Sequence, residues 1–177
     1  MRNKESEGIK MTQEEKKAIV DKAVETAVMA QVRDDVCSRS TLYGLSTQFD
    51  FIPEEMVTAS ASLCGGTGSG SGSCGAYCAG LLAVGLKRNA TIEEELKDPE
   101  SFGKTAAAFT EYRERFVKEM GTIMCPKIHE KLFGKAYDLT DPVDSEEFLN
   151  LPGHVEKCGE TVAVAARIAA EMLLEDE

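Results

Sequence analysis

Between Cys64 and Cys78 the chain reads Cys64-Gly-Gly-Thr-Gly-Ser-Gly-Ser-Gly-Ser-Cys74-Gly-Ala-Tyr-Cys78, and no other stretch resembles it. Glycine enters positive φ without a steric penalty and lets a backbone approach a bound group closely. This segment therefore folds as a turn and not as a helix or strand. The run that follows, from Ala76 to Leu86, is small or apolar at nearly every position. Such a run predicts a central helix, Gly75 to about Leu86, buried on all sides. Gly80 and Gly85 would weaken that helix alone, so neighbouring helices are expected to press close there. A helix's first amides favour negative charge, a thiolate included. The expectation is a thiolate site at a helix N-terminus.

The rest of the chain is punctuated for helices. Thr12-Gln-Glu-Glu15 is a capping box, in which each side chain satisfies the other residue's free amide. Ala18, Ile19, Ala23, Val24, Ala27 and Val28 then recur at helical spacing and predict a helix over 13–33. Ser38 to Phe49 reads as a second helix with Leu42, Leu45 and Phe49 inward. Pro53 opens a third from Glu54 to Leu63, because proline suits a first helical turn. Residues 90–99 read as a polar connector. Phe102 to Met120 forms a long helix with Ala106, Phe109, Tyr112, Phe116 and Met120 on one stripe, stopped by Gly121. Cys125-Pro126 begins another, Lys127 to Phe133. Gly134 to Gly153 reads as irregular, with turn chemistry from Asp138, Asp141, Pro142 and Asp144. Val155 to Leu174 is the last helix, with Cys158 in its first turn. No alternating strand or internal repeat is present. The reading is all-α: a mobile leader over 1–10 and one compact multi-helix domain over 11–177.

Charge narrows the function. Acidic residues outnumber basic ones, and the net charge of −11 argues against nucleic acid, which needs clustered Lys and Arg. The N-terminus, Met1-Arg-Asn-Lys-Glu-Ser-Glu-Gly, lacks the apolar core of a secretory signal. No apolar run approaches the roughly 20 residues of a membrane span. The expected compartment is the cytoplasm, where thiols stay reduced. Six cysteines there point to metal or redox chemistry more than to structural bridges.

Cys74, Cys125 and Cys158 fall near predicted helix starts, and Cys37 lies at or near another. Helix N-termini lower thiol pKa values, so converging ends would make a thiolate nest. Four thiolates are also the usual complement of a [2Fe–2S] or [4Fe–4S] cluster. No Cys-x-x-Cys occurs, which speaks against a zinc ribbon or a thioredoxin-like pair. Cys74 and Cys78, four apart, share a helix face. Gly70-Ser-Gly-Ser-Cys-Gly75 has the form of a dinucleotide fingerprint but lacks its preceding strand, and no lysine follows for a P-loop. His129 and His154 read as surface or capping groups, with a tuning role for His154 near Cys158 left open.

These cysteines and their surroundings resemble the C-GCAxxG-C-C family of redox-active bacterial proteins. The matching stretches are Cys37-Ser-Arg-Ser, the Gly/Ser loop, and Cys74-Gly-Ala-Tyr-Cys-Ala-Gly-Leu-Leu-Ala-Val-Gly-Leu86. Further along they are Gly121-Thr-Ile-Met-Cys125, Leu132-Phe-Gly134 with Asp138-Leu139, and Gly153-His-Val-Glu-Lys-Cys158. The resemblance covers about residues 20 to 174. It implies that Cys37, Cys74, Cys125 and Cys158 are the four shared cysteines. The family glycine five residues after the Cys-Gly-Ala cysteine is Ala79 here, with Gly80 one place later. Cys64 and Cys78 are extra to the four, and could add ligands, replace one, or form a separate redox pair.

The chain is also similar to part of split-Soret cytochrome, a dimeric protein with an iron–sulfur cluster and haem. No Cys-x-x-Cys-His is present for covalent haem, so the resemblance implies only the cluster, and a homodimer. Family members are often associated with transporter genes, which implies a link to a transporter system. The expected function is electron transfer or storage on an iron–sulfur cluster, with substrate turnover less expected. Cys37, Cys74, Cys125 and Cys158 would be its ligands, and Gly65, Gly66, Gly68, Gly70, Gly72 and Gly75 its close backbone. Two alternatives stay open. One is a metal-free thiol–disulfide protein using Cys74 with Cys78 or Cys64; the other is a site for a soft metal such as zinc or copper.

Overall fold

The computed structural model describes residues 11–175, so the leader expected over 1–10 lies outside the described residues. Nine helices account for most of the described chain: α1 Gln13–Asp34, α2 Cys37–Ser46, α3 Glu54–Ser60, α4 Gly75–Arg88, α5 Ile92–Lys97, α6 Phe102–Met120, α7 Cys125–Phe133, α8 Pro142–Leu149 and α9 His154–Leu174. Short 3-10 turns follow α3 and precede α6. No strand occurs among the described residues. A single antiparallel bridge pairs Ser73 with Met124. The all-α expectation holds.

Local chemistry explains the boundaries. The Thr12 hydroxyl accepts from the Glu15 amide at 3.2 Å while Glu15 accepts from the Thr12 amide at 2.8 Å, which closes the capping box of α1. The helix stops at Asp35, whose φ of 51° is left-handed. That reversal makes Cys37 the first residue of α2. Gly121, at φ 82°, ends α6 in the same way and turns the chain towards Cys125.

The core gathers around α9, which packs against α1, α2, α4 and α6. Val162, Ala165, Ala166, Ile168, Ala169, Met172 and Leu173 on α9 are buried. Small residues bring the helices together. A Cβ on Gly44 of α2 would stand 2.5 Å from the Ala23 carbonyl oxygen of α1, so that crossing requires glycine. The Tyr112 hydroxyl fills the space over Gly80 of α4 and donates to the Ala165 carbonyl at 3.4 Å. Close approach thus occurs at Gly80, whereas Gly85 meets only the side chain of Asn89.

Four expectations are corrected. Helix α4 is not buried all round, because Leu82 and Leu86, four apart on its outer face, are exposed. Phe109 is also exposed, since Ala108, Tyr112 and Phe116 carry the inward stripe of α6. The polar connector contains α5, started by a second capping box between Thr91 and Glu94. The segment read as irregular contains α8. Asp141 accepts from the amides of Val143 and Asp144 at 2.9 and 3.0 Å, and Pro142 sits in the first turn. Asp-Pro here starts a helix instead of a turn.

Candidate functional site

The Gly/Ser segment is a left-handed turn. Gly65, Gly66, Thr67, Gly68 and Ser69 all have φ between 51° and 74°. The Ser69 amide donates back to the Cys64 carbonyl at 2.9 Å, and the Gly72 amide donates to the Gly66 carbonyl at 3.0 Å. Three glycines relieve most of the chiral penalty of this hand, about 1–2 kcal/mol per L-residue. Thr67 remains there as a β-branched exception, with its hydroxyl donating to the Ser73 carbonyl at 2.9 Å. The turn carries the chain to the Ser73–Met124 bridge. Here the Cys74 amide donates to the Ile123 carbonyl at 2.7 Å, and the Cys125 amide donates to the Gly72 carbonyl at 2.8 Å. Two distant cysteines are thereby held side by side by their own backbones.

Five of the six cysteines line one cavity of about 150 Å³: Cys37, Cys64, Cys74, Cys125 and Cys158. They arrive from the start of α2, the turn after α3, the N-cap of α4, the start of α7 and the second turn of α9. Cys158 is a correction, because α9 begins at His154 and carries this thiol past the first turn. Cys78 does not line the cavity. Its sulfur lies 3.7 Å from the Thr67 hydroxyl. Of the glycines, Gly65 lines the cavity, and its backbone favours the ionised form of Cys37. A Cβ on Gly75 would stand 2.9 Å from the Cys37 sulfur, and one on Gly66 would stand 2.9 Å from Cys125 Cβ. The amides of Gly68, Gly70 and Gly72 donate to the Cys64 and Gly66 carbonyls, within the turn itself.

The electrostatics reverse the expectation of acidified thiols. Hydrogen bonding with Cys64 pulls the Cys37 thiol down, but bonding with Cys74 and burial outweigh it and carry Cys37 up to about 12. Contact with Cys37, followed by burial, pushes Cys64 up. Burial first and the charge of Cys37 second raise Cys125 and Cys158. Burial also raises Cys78. Crowding and desolvation thus exceed the helix-end effect at these sites. No Lys or Arg lines the cavity, and Asp35 is its charged side chain.

The sequence reading missed the polar side chains that line the cavity together with the sulfurs. Gln31, His129 and Thr161 line the cavity and are 1%, 3% and 3% exposed. Gln31 Oε1, His129 Nδ1 and Thr161 Oγ1 are buried without hydrogen-bond partners. His129 Nε2 lies 3.4 Å from Cys125 Sγ, and its ring stacks on Phe148 at 4.3 Å between centroids. Burial, and then His154, push this imidazole down to about 4. His154, also buried, places Nε2 3.0 Å from Asp35 Oδ2, and the other Asp35 oxygen accepts from Gln31 at 3.0 Å. The surface assignment of both histidines is therefore corrected. Signals did exist: His129 is one helical turn from Cys125, and Gln31 and Thr161 interrupt apolar stripes.

Among the described residues, no three or more Cys, His, Asp or Glu side chains converge to hold a metal ion as they stand. The thiols ring a space instead of meeting at a point. All six cysteines are free. Among the described residues, no helix is long and apolar enough to cross a membrane.

Helices that gather distant thiols around one cavity define a cysteine-rich, all-α protein. Residues 36–172 match the family described as "Putative redox-active protein (C_GCAxxG_C_C)", and the chain belongs to that family. No curated protein and no solved structure matches the chain.

Proposed function

We propose that this redox-active protein holds an iron–sulfur cluster through the thiolates of Cys37, Cys74, Cys125 and Cys158 and serves electron transfer or storage. The observation that carries the reading is the ring of thiols around a cavity of about 150 Å³ lined by no Lys or Arg. Desolvation keeps these thiols neutral on their own, and a bound metal group is what would offset the charge of their thiolate forms. A single zinc or copper ion would require the sulfurs to meet at one point, at roughly 2.3 Å for zinc. A group that brings its own sulfides spans a cavity with its ligands standing apart, which favours a cluster. Bound there, such a group would supply one-electron redox chemistry.

The protein's own residues have separable tasks. Left-handed Asp35 and the Ser73–Met124 bridge position Cys37, Cys74 and Cys125. The Gly65 backbone favours the ionised form of Cys37, and His129 Nε2 lies 3.4 Å from Cys125 Sγ. Such hydrogen bonds and burial would set the potential.

The test is anaerobic purification followed by iron, acid-labile sulfide and visible-absorption measurement. Iron and sulfide with thiolate-to-iron absorption are expected. A colourless, iron-free protein after anaerobic reconstitution would falsify the reading. A second reading is supported by the placement of Cys37, Cys64 and Cys74 on one cavity. A dithiol–disulfide couple within this trio predicts a reversible two-electron titration that survives chelators.

A further inference from the structure

The segment between α7 and α9 has two distinct sides. Leu139, Ser145 and Phe148 line the cavity, whereas Asp138, Thr140, Pro142, Val143 and Glu146 are exposed to solvent. The segment runs from Gly134 to Gly153, both left-handed, with φ of 78° and 76°. Glycines at the two ends of a covering segment can absorb a change of backbone angle. Among the described residues, no other helix packs closely along α8, the helix within this segment.

Its polar groups bind one another far more than they bind the rest of the protein. Lys135 pairs with Asp144 at 2.9 Å and with Glu147 at 2.6 Å, and the Asp138 amide donates to Asp144 at 3.0 Å. Such internal ties let the segment move as one piece. Among the described residues, only two hydrogen bonds connect residues 135–150 to any part of the chain outside 135–154. Both end on one hydroxyl. Ser71 donates to Asp138 Oδ1 at 2.6 Å and accepts from the Leu139 amide at 2.8 Å. The remaining hold is apolar, chiefly Phe148 on the His129 ring, and burial of this kind is not directional.

We propose that residues 135–152 form a lid over the thiol cavity, that the lid opens about Gly134 and Gly153, and that the Ser71 hydroxyl is its latch. The Gly/Ser turn then has two tasks. Ser73 pairs with Met124 and so holds Cys74 and Cys125 side by side, and Ser71, two residues earlier, keeps the lid closed. A group that enters the cavity, or a reagent that reaches Cys74 and Cys125, passes through the open lid. This goes beyond the cluster reading, because it concerns access to the thiols whatever the cavity holds.

The test follows alkylation of the reduced, metal-free full chain by iodoacetamide, cysteine by cysteine, with mass spectrometry. Ser71→Ala and Ser71→Gly both remove the latch, and glycine also suits the left-handed φ of 52° at this position. Each should speed alkylation of Cys74 and Cys125 roughly tenfold, the scale of two ordinary hydrogen bonds. Cys78, which lies off the cavity, should keep its rate. Unchanged rates at Cys74 and Cys125, or an equal gain at Cys78, would overturn the lid. Hydrogen exchange examines the unaltered protein without any substitution. The amides of α8 should exchange together, about tenfold or more faster than the buried amides of α4 and α9. Protection of α8 equal to theirs would also overturn it. Neither measurement involves iron, so the lid and the cluster reading fail separately.

Discussion

Gly75 packs against Cys37 so tightly that a Cβ at position 75 would stand 2.9 Å from the thiol sulfur and 2.6 Å from the Leu63 carbonyl oxygen. The first residue of α4 and the first residue of α2 are thus fitted to each other at the cavity wall. Position 75 has no room for a methyl group, and one of the two neighbours is backbone, which cannot swing aside.

Gly75→Ala should therefore destabilise the protein by about 2 kcal/mol, the usual range for overpacking. It should also displace Cys37 from Cys74. Urea unfolding measures the first effect, and the metal content after reconstitution measures the second. A variant of unchanged stability would mean that α4 can shift away from α2 without loss.

At Gly80 the crowding comes from a side chain. A Cβ there would lie 2.0 Å from the Tyr112 hydroxyl oxygen and 2.7 Å from the ring carbon that bears it. Gly80→Ala is expected to cost about 3 kcal/mol, and Tyr112→Phe in that background to return about 1 kcal/mol by removing the nearer atom. The recovery stays partial because the ring carbon remains. A double-mutant cycle by denaturant unfolding measures both, and strict additivity would place the conflict elsewhere.

Gly80 also marks how far the sequence could be read. Small residues along Ala76 to Leu86 signalled close helix contact, because a helix without bulk has no other means of packing. They could not reveal that Leu82 and Leu86 face solvent, since apolar residues on an outer face look the same in sequence as buried ones. At the site, Cys37, Cys74, Cys125 and Cys158 were picked out by the resemblance and by their places near helix starts. Sorting Cys64 from Cys78 needed the left-handed turn, whose handedness depends on Thr67 and Ser69 as well as on glycine. The raised thiols were illegible for a related reason. Helix ends are visible in sequence, but the crowding that outweighs them exists only once distant helices meet.

The acidic turn around Asp138 should respond to acid. Asp138 accepts from the Ser71 hydroxyl at 2.6 Å and from the Thr140 amide and hydroxyl at 2.9 and 2.7 Å, which hold its carboxyl below the usual range. Asp144 is lowered first by the Asp138 amide at 3.0 Å and then by Lys135. Groups whose folded pKa is depressed stabilise fully above the unfolded value, about 3.9, and lose that contribution as pH falls through the folded value. The melting temperature should fall with acid below about pH 4, less steeply in Asp138→Asn. An identical slope in that variant would mean that Asp138 contributes nothing to this acid response.

His129 bears on the sulfur itself. Its ring is held neutral by burial and carries one N–H, with Nε2 3.4 Å from Cys125 Sγ and Nδ1 buried without a partner. A proton on Nδ1 would be a buried donor with no acceptor, costing about 1–3 kcal/mol, whereas a proton on Nε2 can be donated to a thiolate. The geometry therefore assigns the proton to Nε2 whenever Cys125 is ionised. An N–H donated to a ligand sulfur stabilises the more negative, reduced state of a centre, so losing it lowers the potential. In the iron-reconstituted protein, His129→Leu should shift the potential downward by roughly tens of millivolts. His129→Gln, which keeps a donor, should shift it less. Electrochemical titration with unchanged iron content is the measurement. An unshifted potential in His129→Leu would leave His129 as packing for Phe148 and nothing more.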